Sequence, residues 1–395
     1  MKPFVLAHVS DLHVSTFGDT FHDRRGLVKR SARIADTSPS RFDVAWEEAG
    51  WRVLRERVAR RAKTVLVDWA GYAHALPPAE RGMDPIERAA AHACRLEARR
   101  AATLAGALPT DGALGMMLEV TPRNSNLRLL RAARQIDPSD VDAVVMTGDL
   151  TDDGDGYELL SARFDEWRQR GRLFAIPGNH DSYLFPLSGS ARPRPTHESK
   201  RAAWRAFAER LGLPLDATGA GSVHLPEANA VLVGLDTCAR RQRAFFRHNG
   251  AVGPAQLEFL RTIAKTPEWL GAKHRIVAFH HHVVPLSHGV GRRAPTEIGM
   301  RLDDAREFAA TLDDVGATLV MHGHRHLSEA RRPAGCNFEL LAAPSLTLGC
   351  KSGDAPSYWR VELDERGHHA TRVRIPVEAI EQEPDPGTPD DDVES

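Results

Sequence analysis

Cysteine is scarce in this chain and net charge is almost absent. The 395 residues contain four cysteines, Cys94, Cys238, Cys336 and Cys350, with no CxxC spacing among them. A disulfide framework and a thiolate zinc knuckle are therefore not expected, and a reducing, cytoplasmic setting is. A formal net charge of −1 gives no global electrostatic pull towards nucleic acid or a membrane surface. No stretch approaches the roughly 18 uncharged apolar residues that a membrane-spanning helix needs. A targeting segment is not expected either, because Met1-Lys2-Pro3 leads into a short apolar stretch followed at once by charged residues. No internal repeat is visible. A hydrophobic share of 42% beside 27% charged residues is ordinary for a globular protein, and the length allows one large domain or two smaller ones.

What the chain has in excess is histidine, with 19 residues, and their clustering matters more than their number. Apolar, β-branched runs predict strands over residues 4–9, 143–146, 173–176, 230–235, 275–279 and 318–321. Helical spacing fills most of the gaps, over residues 126–135, 156–169, 198–211, 254–265 and 302–315. A closing set of strands is expected at 338–341, 357–363 and 369–375, with Asp364-Glu365-Arg366-Gly367 as a hairpin turn. This alternation predicts an α/β fold, and the late meander predicts sheets that are not purely parallel. Between residues 16 and 121 the text changes character. Two Arg/Ala-rich helical stretches, 43–69 and 85–105, read as an inserted helical segment that could close over a site as a lid. Its basic run from Arg52 to Lys63 is a solvated helix face, or else a contact for an anionic partner. Residues 379–395 are acidic and proline-bearing, and are expected to form a solvated, disordered tail. Residues 1–378 would then be one domain.

Each of five predicted strands ends in residue types that bind metals: Asp11 and His13; Asp149; Asn179 and His180; His280; His324 and His326. The carboxyl ends of strands are where open α/β sheets place ligands. Asp-x-His and His-x-His put both side chains on one side of an extended segment, so each pair can converge. A donor set of carboxylate oxygen and imidazole nitrogen suits Mn, Fe or Zn better than Ca or Mg. Even without His180, the seven remaining candidate ligands are too many for one four-coordinate ion. They suit two ions about 3.5–4 Å apart that share a carboxylate.

The motifs Asp11-Leu12-His13, Gly148-Asp149-Leu150-Thr151-Asp152-Asp153-Gly154, Gly178-Asn179-His180-Asp181, His280-His281 and Gly323-His324-Arg325-His326 resemble, in order, those of the calcineurin-like metallophosphoesterases. That resemblance implies a four-layer sandwich of two mixed sheets flanked by helices, with a binuclear metal centre. Carried over, Asp11, His13, Asp149 and His326 would hold one divalent ion, and Asp149, Asn179, His280 and His324 the other. His281 is the alternative to His280. Mn or Fe is favoured, with Zn as a further option, and a hydroxide between the ions would attack phosphorus. His180 would protonate the leaving oxygen, oriented by Asp181, whose other reading is a turn cap. Asp152 would be structural or hydrogen-bonded behind the ligands.

For the substrate, Asp181-Ser182 after Asn179-His180 departs from the Ser/Thr protein phosphatase pattern. The Gln256–Leu260 helix and Pro344-Ser345-Leu346-Thr347 resemble the bacterial cyclic-nucleotide phosphodiesterase-like branch. A small phosphodiester is the expected substrate. A DNA-end nuclease and a lipid-linked pyrophosphate hydrolase are the alternatives, with nucleic acid disfavoured by the near-neutral charge. A non-catalytic binding scaffold is the reading from a different class.

Overall fold

The computed structural model describes residues 2–14, 125–152, 154, 156–184, 196–239, 248–284, 302–347 and 355–376. The inserted segment expected between 16 and 121 and the tail at 379–395 lie outside the described residues. Two sheets carry the architecture. The first has five strands in the order β11-β10-β1-β2-β3, and the second six, in the order β4-β5-β6-β7-β9-β8.

In the first sheet, β1 (Phe4–Val9), β2 (Ala143–Thr147) and β3 (Leu173–Ile176) run parallel. The antiparallel pair β10 (Ser357–Asp364) and β11 (Gly367–Arg374) extends it beyond β1. In the second, β5 (Ala230–Leu235), β6 (His274–Ala278), β7 (Leu319–His322) and β9 (Glu339–Ala342) are parallel. The antiparallel strands β4 (Ala220–Leu225) and β8 (Glu329–Arg331) close its two edges.

Alternation along the strands divides the core into layers. Phe4 and Leu6 of β1 meet Val145, Phe174, Leu232, Ile276, Leu319 and Leu341 between the sheets. Val5, Ala7 and Val9 face the other way, onto a layer that includes Leu129, Leu160 and Trp204 from helices. Val233, Val277 and Val320 point to a matching outer layer with Leu257, Leu260 and Phe308. Helix, sheet, sheet, helix is the resulting order. A strand such as β1, buried along its whole length, must read as a continuous apolar run, and it does.

Three expectations change. The helix over 156–169 is two helices, Tyr157–Arg163 and Asp165–Gln169, broken at Phe164. Phe164 and Trp167 are both buried in the core, with Trp167 Nε1 donating to Val141 O at 2.9 Å. The hairpin strand β4 was not legible, because Ala-Gly-Ser-Val-His-Leu carries little apolar alternation at a half-exposed edge. Finally, the closing strands do not form one meander: β9 belongs to the second sheet, while β10 and β11 complete the first. Among the described residues no helix is long and apolar enough to cross a membrane.

The sheets are tied directly where Trp359 Nε1 of β10 donates to Ala342 O of β9, at 2.9 Å. Trp359→Phe should keep most of the packing but leave that buried carbonyl without its indole donor. A loss of about 1–3 kcal/mol in urea unfolding is expected, with metal content unchanged.

Candidate metal centre

The predicted ligands stand where the strands end, and three strands of the first sheet and two of the second contribute. Asp11 and His13 follow β1, Asp149 follows β2, and Asn179 and His180 follow β3. His280 follows β6, while His324 and His326 follow β7. The local conformation differs from the extended one expected. Asp11 (φ 54°), His13 (φ 52°), Asp149 (φ 52°), His324 (φ 76°) and His326 (φ 50°) are all left-handed. Among the described non-glycine residues only Asn229 shares that property. Each such residue costs on the order of 1–3 kcal/mol and persists only where surrounding contacts fix it. Alternation along a strand therefore does not aim these pairs; local reversals of the backbone do.

Those contacts are visible. Asp11 N donates to Gly148 O and His13 N to Asp149 O, each at 3.0 Å, and Val14 N donates to Leu150 O at 2.9 Å. Asp152 N returns a bond to Val14 O at 2.7 Å, so the two loops are laced together. Two glycines make room. Gly148 has φ +92°, and a Cβ there would sit 2.6 Å from His280 Nδ1. A Cβ on Gly178 would lie 2.2 Å from Asp149 N.

Two clusters result. In the first, His13 Nε2 faces His326 Nε2 at 3.0 Å, and His326 Nε2 lies 3.2 Å from Asp11 Oδ1. In the second, Asn179 Oδ1 is 2.8 Å from both His280 Nε2 and His324 Nδ1, and His280 Nε2 is 3.2 Å from Asp149 Oδ1. Asp11 Oδ2 accepts from His324 N at 2.9 Å, which links the clusters. All seven side chains are buried.

This donor set fits divalent cations. Asp11 Oδ1 is buried without a hydrogen-bond donor, and imidazole nitrogens point at one another rather than at donors. The remote nitrogens are tied back in the way that directs a lone pair inward. His280 Nδ1 donates to Thr147 O at 2.7 Å, and His13 Nδ1 to Asp152 Oδ1 at 2.8 Å. His281 has both nitrogens committed elsewhere, to Thr237 Oγ1 at 2.8 Å and His248 O at 2.7 Å. Of the two alternatives, it is His280 that reaches the cluster.

His180 and Asp181 sit differently from expectation. His180 Nδ1 donates to Asp152 Oδ1 at 2.6 Å, so Asp152 serves both His180 and His13. Asp181 instead accepts from the amides of Gly178, Leu150 and Thr151 at 2.8–3.0 Å, and from Tyr157 Oη at 2.8 Å. Its role is the turn cap, pinning the Asp149 loop to the Asn179 loop, and orienting His180 falls to Asp152. Lys200 was missed altogether: fully buried, its Nζ donates to Asp152 O at 2.9 Å and Tyr183 O at 2.8 Å. Its polar neighbours in the sequence give no signal of that burial. Tyr157, equally, looks like an ordinary helix start.

Burial resists ionisation of Asp149 and Asp152, yet the surrounding imidazoles hold both carboxyls well below the usual range. Those imidazoles are His280 and His180 around Asp149, and His13 and His180 around Asp152. Conversely, burial would lower His13 and His280, but Asp152 and Asp149 respectively pull each up to about 9. In the metal-free protein, protons balance the carboxylates.

Residues 121–328, more than half of the chain, match the sequence model of the calcineurin-like phosphoesterases, and the chain belongs to that family. The match begins after Asp11 and His13, which the lacing described above joins to it. No curated protein matches the chain. Among solved structures it is similar to a dimetal phosphatase from Danio rerio, at 17% identity over 64% of this chain and 90% of that one, with a TM-score of 0.42. It is also similar to a purple acid phosphatase from yellow lupin (Lupinus luteus) seeds, at 12% identity over 64% and 50%, with a TM-score of 0.43. A 5'-nucleotidase from Candida albicans is 11% identical over 65% and 48%, with a TM-score of 0.36.

Because His13 and His280 titrate near 9, above the ordinary 6.5, their contribution to the metal-free fold is complete below about pH 6.5 and is lost as pH rises through about 9. Metal uptake must displace the same protons. Mn(II) added at about pH 8 in weak buffer should release about two protons per chain, and fewer as the pH is raised further. Uptake without proton release would contradict the assignment of these imidazoles.

Proposed function

We propose that this phosphoesterase is binuclear and acts on a small phosphodiester, a cyclic nucleotide or a diester of similar size. One observation carries the reading: seven side chains from five strand ends converge in two buried clusters, joined where Asp11 Oδ2 accepts from His324 N. Asp11, His13, Asp149 and His326 would hold one cation; Asp149, Asn179, His280 and His324 would hold the second. Mn or Fe suits these mixed donors, with Zn as the alternative. Such cations supply positive charge for the phosphoryl oxygens and a water acidic enough to attack near neutral pH.

The chain's own groups do the rest. His180 Nδ1 is held by Asp152, leaving Nε2, 4.0 Å from Asp149 Oδ2, turned towards the cluster. That nitrogen can pass a proton to the ester oxygen as its bond to phosphorus breaks. Asp181 keeps the loops carrying Asp149 and His180 in register by accepting hydrogen bonds from three amides and from the hydroxyls of Thr151 and Tyr157. The diester preference rests on the departure from the protein-phosphatase pattern at Asp181-Ser182 and on the Pro344–Thr347 motif. Against a non-catalytic scaffold stand the five left-handed ligand positions. A fold kept only for binding elsewhere gains nothing from holding that strain.

With Mn(II), the purified protein should hydrolyse bis-p-nitrophenyl phosphate, and Asp149→Asn should abolish turnover. His180→Ala should lower kcat about 10²- to 10⁴-fold while metal content stays the same. Turnover no higher than that of Asp149→Asn would overturn the reading, and a panel of cyclic nucleotides, dinucleotides and phosphomonoesters would fix the preference.

A further inference from the structure

The segment after β9 crosses from the second sheet to the first within a few residues. Ala343 N still donates to His322 O at 2.8 Å, on the β7 side. Then Ser345 forms a parallel bridge with Ser10, and Leu346 N donates to Ser10 O at 3.2 Å, on the β1 side. Two hydroxyls follow the same path. Ser345 Oγ donates to Asp11 O at 2.6 Å, and Thr347 Oγ1 donates to Leu12 O at 3.1 Å. The hydroxyls lie 3.1 Å apart, and Thr347 N donates to Ser345 Oγ at 3.3 Å. Ser345, Leu346 and Thr347 are all fully buried.

The carbonyls they meet belong to the left-handed turn that carries Asp11 and His13. A buried carbonyl must find a donor, and reversing the backbone at Asp11 and His13 takes these two out of the ladder of β1. The turn's amides are satisfied on the β2 side, by Gly148 O and Asp149 O. Its carbonyls are satisfied from the opposite side, by a segment of the other sheet. Without those two donors the turn would keep its strain and lose what compensates it.

We propose that Ser345 and Thr347 are positioning residues for the Asp11–His13 half of the metal centre. Their hydroxyls clip the turn in its left-handed form, so that both side chains reach the cation. This rests on the two-cation reading. The second half is anchored elsewhere, with His280 Nδ1 on Thr147 O. Loss of the clip therefore weakens one site selectively.

The test uses the full chain and Mn(II) alone, read by metal content after dialysis, calorimetric titration and the paramagnetic resonance of bound Mn. Wild-type protein should take up two ions. Ser345→Ala with Thr347→Val should keep one site at wild-type affinity and weaken the other about 10- to 100-fold. Ser345→Ala alone should move the same site in the same direction by less. Thr347→Ser, which keeps the hydroxyl, should retain both sites at wild-type affinity. Leu346→Ala removes core packing from the same segment, and should lower Tm while leaving two ions bound. Wild-type affinities at both sites in the double variant overturn the clip, as does an equal loss of one site in Leu346→Ala. A wild-type chain that takes up no Mn brings down the two-cation reading and the clip with it.

Discussion

Much of this molecule depends on a backbone held against its preference. Five left-handed residues bring the carboxylates and imidazoles together, and none of them is glycine. The strain is distributed, and each piece is answered by a specific bond. Amides of the β1 turn reach Gly148 and Asp149, its carbonyls reach Ser345 and Thr347, and Asp181 gathers the amides of three neighbouring residues. The two sheets give these loops something rigid to strain against. Their shared core is built of buried apolar side chains, and a close-packed core resists small shifts.

Burial then sets the electrostatics. Asp11, Asp149 and Asp152 lie together out of water, which no three carboxylates tolerate unpaired. In the metal-free chain, protonated His13 and His280 answer part of that charge, while Lys200 donates from Nζ to the backbone of the Asp152 loop. Asp152 occupies the most economical place, with one oxygen serving both His13, of a predicted ligand pair, and His180. A disturbance at Asp152 would therefore reach both histidines at once.

Much of the fold was legible. The strands over 4–9, 173–176 and 230–235 fall where apolar runs put them, because each is buried on both faces and reports burial directly. The edge strand β4 was not legible, since a half-exposed strand needs no apolar signature. The break at Phe164 was missed because both halves have helical spacing, and helical bonds from Phe164 N to Leu160 O and from Arg168 N to Phe164 O run through it, so nothing local marks it.

By itself the sequence determined the family and the residue types that end each strand, since metal chemistry demands those types in that order. Which nitrogen faces the site, that Asp152 rather than Asp181 orients His180, and that Ser345 and Thr347 reach the Asp11 turn were decided only by tertiary structure. The reason is distance along the chain. His13 and Asp152 are 139 positions apart, Asp11 and Ser345 334, and His13 and His326 313. Hydrogen bonds across such gaps have no local signal. They exist because two sheets packed face to face bring the strand ends to one place.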